Sequence, residues 1–138
     1  MGINSIVVGI DGSDPSFRAF AMAIGFAARE EGCVHACFVA HLPGAAAIGG
    51  FFAPVPLVGD MESDERLARY VTEELFLAHV GGDFTYRTGE VGAELELLAT
   101  SCKADLIVVG RSAHPHLHLG GVPRQLLTRG KFPILVVP

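Results

Sequence analysis

The feature that most constrains the fold is a regular alternation of strand-like and helix-like segments. Short β-branched runs alternate with longer segments whose apolar residues recur at helical spacing. Strict alternation of this kind gives a parallel sheet with helices on both faces, because each crossover is right-handed. The sequence therefore predicts an α/β domain with five strands, at about 5–11, 33–41, 84–88, 105–110 and 133–137, and four helices, at about 15–31, 62–80, 90–104 and 121–129.

Turn-forming and helix-capping residues predict where these segments begin and end. After the first strand, "GSDP" indicates a turn in which Asp14 caps the first helix and Pro15 is its first residue. The glycine pair at 81 and 82 is expected to stop the second helix. The segment 42–60 is rich in Gly, Ala and Pro without periodicity, and it predicts a long loop.

Length and composition restrict the class of protein. The 138 residues fit one domain, 1–138, and a hydrophobic content of 50% with 18% charged residues is typical of a compact globular chain. A net charge of -5 provides no general attraction for nucleic acid or an anionic membrane surface. No apolar run approaches the ~18 residues of a membrane span, and the start of the chain has no basic signal region. We therefore expect a cytosolic protein without nucleic-acid or membrane partners.

The cysteines do not predict a disulfide framework. There are three, and Cys33 and Cys37 lie four residues apart in a predicted strand, at ~3.3 Å per residue, which is too far for one bridge. Buried thiols are expected instead.

Two glycine-bearing turns are predicted to form a ligand cleft. In open α/β sheets, ligands bind beyond the carboxyl ends of strands where the strand order reverses. If the first and fourth strands are neighbours, "DGS" at 11–13 meets "GRSAHPHLHLGG" at 110–121. Both segments lead to helix N-termini, which favour anions. The chain has neither a P-loop nor a dinucleotide fingerprint.

At these residues the chain resembles the universal stress protein family over its whole length. The resemblance is carried by "VVGIDGSDPSFRAF", by "EVGAELELLATSCKADLIVVGRS" and by the terminal "GKFPILVVP". It implies a doubly wound open sheet in the order 3-2-1-4-5, of the adenine-nucleotide alpha-hydrolase-like kind. It also implies a regulatory or binding module in the stress response, a homodimer, and ATP or AMP as ligand.

The family's phosphate pattern is altered in three places. Nucleotide-binding members have G-x-x-G, nine residues, then G-[ST] after the fourth strand. Here Gly110 matches, but Ala113 replaces the second glycine, six residues separate it from Gly120, and Gly121 replaces the Ser or Thr. The resemblance nevertheless assigns nucleotide binding to a set of residues at these turns: Asp11, Val39, Gly110, Ala113, Gly120, Gly121 and Val122.

A structural interpretation of the same residues stays open. Asp11 can cap the turn into the first helix, and Val39 can be an ordinary core residue. Gly120 and Gly121 can simply end a loop and begin a helix. The sequence does not decide between these roles and nucleotide binding.

The histidines of the loop after the fourth strand raise a metal hypothesis. His114, His116 and His118 alternate, and in an extended strand they would offer imidazoles to Zn, Ni or Cu from one side. No cysteine or carboxylate within the motif completes a tetrahedral set, so no metal is expected. A rim that becomes cationic on protonation is an alternative.

Catalysis has little support in the sequence. Asp11, Ser13 and Asp14 are close along the chain, but nothing in the sequence indicates that they converge on a phosphate, so no catalytic residue is assigned. A slow ATP-hydrolysing enzyme is kept as the alternative function.

The terminal strand predicts the dimer surface. In the order 3-2-1-4-5 it lies at a sheet edge, where unpaired backbone groups are normally covered. Pro133 and Pro138 bracket it and limit further extension. We therefore expect a homodimer formed by antiparallel pairing of this strand with its copy, through Ile134, Leu135, Val136 and Val137.

Overall fold

The computed structural model describes residues 2–41, 61–111 and 121–138. The predicted loop 42–60 and the segment 112–120 lie outside the described residues. The elements run in order as β1 (Ser5–Gly9), α1 (Asp14–Glu30), β2 (Cys33–His41), α2 (Met61–Leu77), β3 (Gly81–Gly89), α3 (Val91–Ser101), β4 (Leu106–Gly110), α4 (Val122–Arg129) and β5 (Ile134–Val137).

The five strands form one parallel sheet in the order β3-β2-β1-β4-β5. This confirms the predicted fold and strand order. β1 is central and pairs with β2 on one side and β4 on the other. The chain reverses its direction of winding between β1 and β4, so the crevice predicted for a ligand lies at their carboxyl ends.

Two apolar layers cover the two faces of the sheet. Along β1, Ile6 and Val8 pack with Phe20 of α1 and with α2 on one face. Val7 points to the other face and packs with Leu95 of α3 and with α4. Because successive side chains of a strand alternate, a continuously apolar strand is buried on both faces, as a doubly wound fold requires.

The start of α1 differs from the prediction. The cap is Ser13, whose Oγ accepts a hydrogen bond from the backbone N–H of Ser16 at 3.4 Å. Asp14, predicted as the cap, is the first helical residue, where its negative charge faces the positive end of the helix dipole. Pro15 therefore occupies the second helical position. Either serine or aspartate can cap a helix, so the spacing alone did not separate them.

The ends of α2 and α3 also differ from the prediction. α2 stops at Leu77 instead of about 80, and α3 stops at Ser101 instead of 104. Each is followed by a left-handed residue that is not glycine, His79 with φ 55° and Lys103 with φ 51°. A sequence search for glycine stops misses such ends.

The glycine pair at 81 and 82 begins β3 and does not stop α2, which corrects the prediction. Gly82 has φ 152°, and a Cβ there would lie 1.9 Å from the carbonyl oxygen of Val34 on β2. Glycine is therefore needed because the two backbones approach closely.

The three cysteines are free, as expected. Cys37 is buried, whereas Cys33 and Cys102 are half-buried. None of the helices within residues 2–41, 61–111 and 121–138 has the length and hydropathy of a membrane span.

Candidate functional site

A cleft of about 310 Å³ opens at the carboxyl ends of β1 and β4. The first and fourth strands are neighbours, which confirms the premise of the sequence prediction. The wall of the cleft is formed by the ends of three strands, the first turn of α1, and parts of α3 and α4. The lining residues are Gly9, Ile10, Asp11, Ser13, Ser16, Cys37, Val39, Val91, Leu95, Val109, Gly110, Arg111, Val122 and Pro123.

Asp11 organises the turn between β1 and α1. Its Oδ1 accepts a hydrogen bond from the backbone N–H of Ser13 at 2.9 Å, which is the local geometry expected of an aspartate turn. Burial alone would raise the pKa of Asp11, but hydrogen bonds involving Ser13 and Ser16 outweigh it and lower the pKa. The carboxylate therefore stays ionised at neutral pH, at the mouth of the cleft.

Ser16 fixes the same turn from inside the helix. Its buried hydroxyl donates to the carbonyl oxygen of Ser13 at 2.8 Å and accepts from the backbone N–H of Asp11 at 3.2 Å. Because both ends of the turn are tied to one side chain, the Asp11 carboxylate is held in one place relative to the sheet. The turn therefore requires Asp11, Ser13 and Ser16 at this spacing along the chain.

The fourth strand ends directly against the first helix. A Cβ on Gly110 would lie 2.5 Å from the carbonyl carbon of Pro15 and 2.6 Å from the backbone nitrogen of Ser16. Gly110 therefore brings β4 close enough to α1 to close one side of the cleft. The backbone N–H of the next residue, Arg111, donates to the carbonyl oxygen of Val137 at 2.6 Å, which ties the cleft to β5.

The floor of the cleft is apolar. Val39 and Val91 are half-buried, and Leu95 and Val109 are buried. Such a surface suits a flat heterocycle better than a phosphate.

Cys37 also lines the cleft, but its thiol is not a candidate nucleophile. Burial raises the pKa of Cys37 to about 12, with Arg87 opposing and Glu94 adding to the effect. The side chain therefore remains a neutral thiol and acts as a small apolar residue in the floor.

The N-terminus of α4 closes the other side of the cleft. Its cap, Gly121, makes no hydrogen bond from a side chain, and Val122 and Pro123 of its first turn line the cleft. A serine or threonine at the cap would hydrogen-bond to the helix N–H groups. Here that hydroxyl is absent, as the sequence comparison with the family pattern indicated.

Arg111 supplies the positive charge that the sequence analysis did not single out. Among the described residues that line the cleft, Arg111 has the positively charged side chain and Asp11 has the negatively charged one. Arg111 is exposed at the rim of the cleft. Its position directly after the strand-ending glycine is the signal from which it could have been found, because residues there face the ligand crevice.

The structure brings together four of the seven residues assigned to nucleotide binding: Asp11, Val39, Gly110 and Val122. Gly121 precedes Val122 as the cap of α4 but does not itself line the cleft. Ala113 and Gly120 lie outside the described residues, as do His114, His116 and His118. Within the described parts of the chain, no cluster of His, Cys, Asp and Glu is arranged to hold a metal ion.

Comparison with models of known protein families identifies one family that matches the chain. A model of the universal stress protein family matches residues 2–138. No curated protein sequence matches the chain.

Solved structures of this family share the fold. A protein of the universal stress protein family from Burkholderia pseudomallei has a TM-score of 0.77 at 22% identity, covering 99% of this chain and 96% of that one. A universal stress protein in complex with cAMP has a TM-score of 0.73 at 26% identity, covering 99% and 98%. The universal stress protein from Archaeoglobus fulgidus in complex with dAMP has a TM-score of 0.70 at 19% identity, covering 100% of both chains.

Proposed function

This chain belongs to the universal stress protein family, and we propose that it is a regulatory or binding module of the stress response whose cleft binds an adenine nucleotide. The observation that carries the proposal is the cleft between β1 and β4. It combines an apolar floor with an ionised carboxylate and an arginine at its mouth.

The ligands of two structural relatives support an adenine nucleotide over other anions. One relative is described in complex with cAMP and another in complex with dAMP. Both molecules carry adenine and one phosphate group. The cleft has an apolar floor for the base and a cationic rim for the phosphate, which fits that combination.

Each residue of the cleft has a distinct part in the proposal. Val39 contacts the adenine, and the Asp11 carboxylate accepts hydrogen bonds from ribose hydroxyls. Arg111 pairs with phosphate oxygens, since a guanidinium forms strong charge-assisted bonds to phosphate. The backbone at Gly110, Ala113 and Gly120 and the start of α4 at Gly121 and Val122 complete the phosphate side.

We propose weak binding for ATP, because the altered loop after β4 is too short to surround three phosphates. Only six residues separate Ala113 from Gly120, where the family pattern has nine. AMP has one phosphate where ATP has three, so fewer contacts from this loop are needed to bind it. Titration calorimetry with both nucleotides tests the point, and a dissociation constant for ATP well below about 1 µM would contradict it.

Replacing Arg111 separates binding at this cleft from general attraction of an anion. We expect Arg111→Ala to weaken AMP binding at least several-fold, since the phosphate loses its cationic partner. Arg69→Ala removes the same charge from an exposed position of α2 and should leave the affinity unchanged. Equal affinities for both variants would contradict the assignment of the cleft.

Mass spectrometry of small molecules released from freshly purified, denatured protein identifies the natural ligand without assuming one. Recovery of an adenine nucleotide supports the proposal, and recovery of a chemically different ligand overturns it. The slow ATP-hydrolysing enzyme and the metal-binding protein stay untested hypotheses. Turnover of ATP that disappears in Asp11→Asn would favour the former.

We further propose that the protein is a cytosolic homodimer. Three free cysteines support a reducing compartment. The dimer is supported by the position of β5 at the edge of the sheet, where its outer backbone groups are available to a second copy. The pairing strand is the one predicted from the sequence, Ile134–Val137.

A further inference from the structure

A second group of reactive side chains lies at the end of the sheet opposite the cleft. Sγ of Cys33, the first residue of β2, lies 3.4 Å from Nε2 of His35. Nδ1 of His35 lies 3.0 Å from Oδ1 of Asp83 on β3. We call these three residues the thiol cluster. A thiol, an imidazole and a carboxylate in this order are the parts of a base-activated nucleophile.

The strand register creates the thiol cluster. Cys33 and His35 are two residues apart in β2, so their side chains lie on the same face of the sheet. His35 is directly paired with Asp83 of β3 in the parallel ladder. The three groups are thus held by backbone pairing and do not depend on a loop.

The hydrogen bond to Asp83 determines which nitrogen of His35 faces the thiol as a base. The Nδ1–H group donates to the carboxylate, so Nε2 carries the lone pair that faces Cys33. The thiol proton has two acceptors, Nε2 of His35 and the carbonyl oxygen of Asn4, each at 3.4 Å from Sγ. Transfer of that proton to Nε2 leaves an imidazolium beside the thiolate, and Asp83 stabilises the imidazolium.

Cys33 is accessible to small molecules, unlike the thiol in the cleft. It is half-buried and lines an open depression at the amino ends of the strands, together with Glu31 and His79. The side chain of His35 is 19% exposed and that of Asp83 is 59% exposed. Cys37 lies on the same strand, but it is buried, and none of the described residues is a base that hydrogen-bonds to its thiol.

We propose that the thiol cluster is a redox site in which hydroperoxides oxidise Cys33 to a sulfenic acid. The S–H proton moves to Nε2 of His35, and the thiolate sulfur attacks one peroxide oxygen. The S–O bond forms as the O–O bond breaks, and the leaving hydroxide or alkoxide takes the proton from Nε2 and departs as water or alcohol. The sulfur loses two electrons and the peroxide gains them. His35 is the catalytic base and Asp83 is a positioning residue.

Cys102 is the neighbouring thiol that can react next. Ser5 is paired with Cys33 in the ladder, and its hydroxyl donates to the carbonyl oxygen of Cys102 at 3.3 Å. Burial raises the pKa of the Cys102 thiol, and a charge on Cys33 raises it further. Among the described residues no imidazole lies against the Cys102 thiol, which donates to the carbonyl oxygen of Ala99 at 3.9 Å, so we expect Cys33 to be oxidised first.

The test follows the loss of each free thiol during treatment of the whole protein with hydrogen peroxide at pH 7. Dimedone traps sulfenic acid, and peptide mass spectrometry distinguishes the three cysteines. We expect Cys33 to be oxidised at least about tenfold faster than Cys102, because His35 lies within hydrogen-bonding distance of the Cys33 thiol and can take its proton. A dimedone adduct on Cys33, or a Cys33 to Cys102 disulfide that Cys102→Ser converts to that adduct, supports the proposal. Equal rates for Cys33 and Cys102 overturn it.

His35→Gln tests the base directly. The glutamine retains polarity but cannot take the thiol proton, so oxidation of Cys33 should slow about tenfold or more. The melting temperature of the variant checks that the strand pairing is intact. A correctly folded His35→Gln protein that is oxidised at the wild-type rate would overturn the assignment.

Asp83→Asn tests the positioning residue and is mild, since this side chain is largely exposed. Without the carboxylate the imidazolium is less stable, so the pH at which Cys33 reaches half its maximal rate should rise. The ionisable neighbours of the cluster are Cys102 after α3, which interacts electrostatically with Cys33, and Asp105 before β4, whose carboxylate accepts from the backbone N–H groups of Asn4 and Ser5. Glu31 and His79 line the depression that Cys33 also lines. All of them are unchanged in this variant. A pH profile identical to the wild type would contradict a role for Asp83.

Discussion

Gly110 and Pro15 are in direct contact across the boundary between the sheet and the first helix, since a Cβ on Gly110 would lie 2.5 Å from the carbonyl carbon of Pro15. The contact joins the end of β4 to the first turn of α1, so that side of the cleft depends on it. In the family pattern this glycine belongs to the phosphate-binding motif. Its structural necessity here is independent of any ligand.

We expect Gly110→Ala to destabilise the protein by about 1–3 kcal/mol, because the methyl group forces β4 and α1 apart. Urea unfolding monitored by circular dichroism measures the change. Gly25→Ala is the matched control: in α1 its Cβ would make only an ordinary contact, 3.7 Å from Arg29, and the better helix propensity of alanine should stabilise. An unchanged midpoint for Gly110→Ala would show that the two elements can separate at little cost.

Asp11 predicts a pH-dependent contribution to stability. Its folded-state pKa is lowered from 3.8, so its contribution is present above the unfolded pKa and is lost as the pH falls through the folded pKa. Asp11→Asn keeps an acceptor for the Ser13 N–H but has no charge. We expect the variant to be less stable than the wild type at pH 7, by less than about 1 kcal/mol, and equally stable at the acid end.

Thermal unfolding of both proteins from neutral to acid pH measures the difference. Asp11→Ala is the companion variant, since it removes the acceptor and should remain less stable at every pH. A stability gap between wild type and Asp11→Asn that widens toward acid pH would contradict the lowered pKa.

The sequence predicted the order of elements and the location of the cleft because these depend on patterns that are local along the chain. Alternating segments give the layers, and the glycine turns at 11–13 and 110 mark the end of the sheet at which the cleft opens. The use of Ser13 as a cap instead of Asp14 was not predictable, since both residues can perform that role. The start of β3 at Gly81 was also missed, because the need for glycine at 82 arises from the backbone of Val34, far away in sequence.

The thiol cluster could not be predicted for the same reason. Cys33 and His35 are adjacent on one face of a strand, but Asp83 is 48 residues from His35 and meets it only through the β2–β3 register. A shift of one residue in that register would point Asp83 to the other face. Reactivity of this kind follows from strand pairing and has no motif of its own.

The ion pair between Glu96 and Arg129 predicts unequal effects of removing its two partners. The Glu96 carboxylate is buried, and Nε of Arg129 donates to both of its oxygens, at 2.6 and 2.9 Å. Arg129→Met leaves a buried charge without its partner and should lower the melting temperature by several degrees. Adding Glu96→Met should restore most of the loss, because two apolar side chains can pack between α3 and α4.

The exposed pair of Arg66 and Glu62 on α2 provides the control, and Arg66→Met should change the melting temperature little. Differential scanning calorimetry of the four proteins completes the comparison. A double variant less stable than Arg129→Met would mean that Glu96 is held by contacts other than this arginine.

Removal of metal ions is expected to leave the stability unchanged. A structural metal would contribute directly to the free energy of folding, and no cysteine or carboxylate within the motif of His114, His116 and His118 completes a tetrahedral set. The melting temperature should therefore be the same before and after extensive chelation. A marked fall that added Zn²⁺ reverses would support the hypothesis of a site at His114, His116 and His118.

The exposed edge of β5 predicts that a charge on its surface disrupts the proposed dimer. Val136 is 39% exposed, whereas Val137 is buried against the core, so position 136 is the one that a second copy would cover. Val136→Lys should shift the mass measured by light scattering from dimer toward monomer, because pairing would place two like charges close to one dyad.

Val136→Thr keeps a β-branched side chain without the charge and should remain dimeric. Tyr86→Lys places the same charge on β3, the opposite edge of the sheet, and should leave the mass unchanged. A wild-type protein that is monomeric at high concentration, or a loss of the dimer in Tyr86→Lys alone, would rule out association through β5.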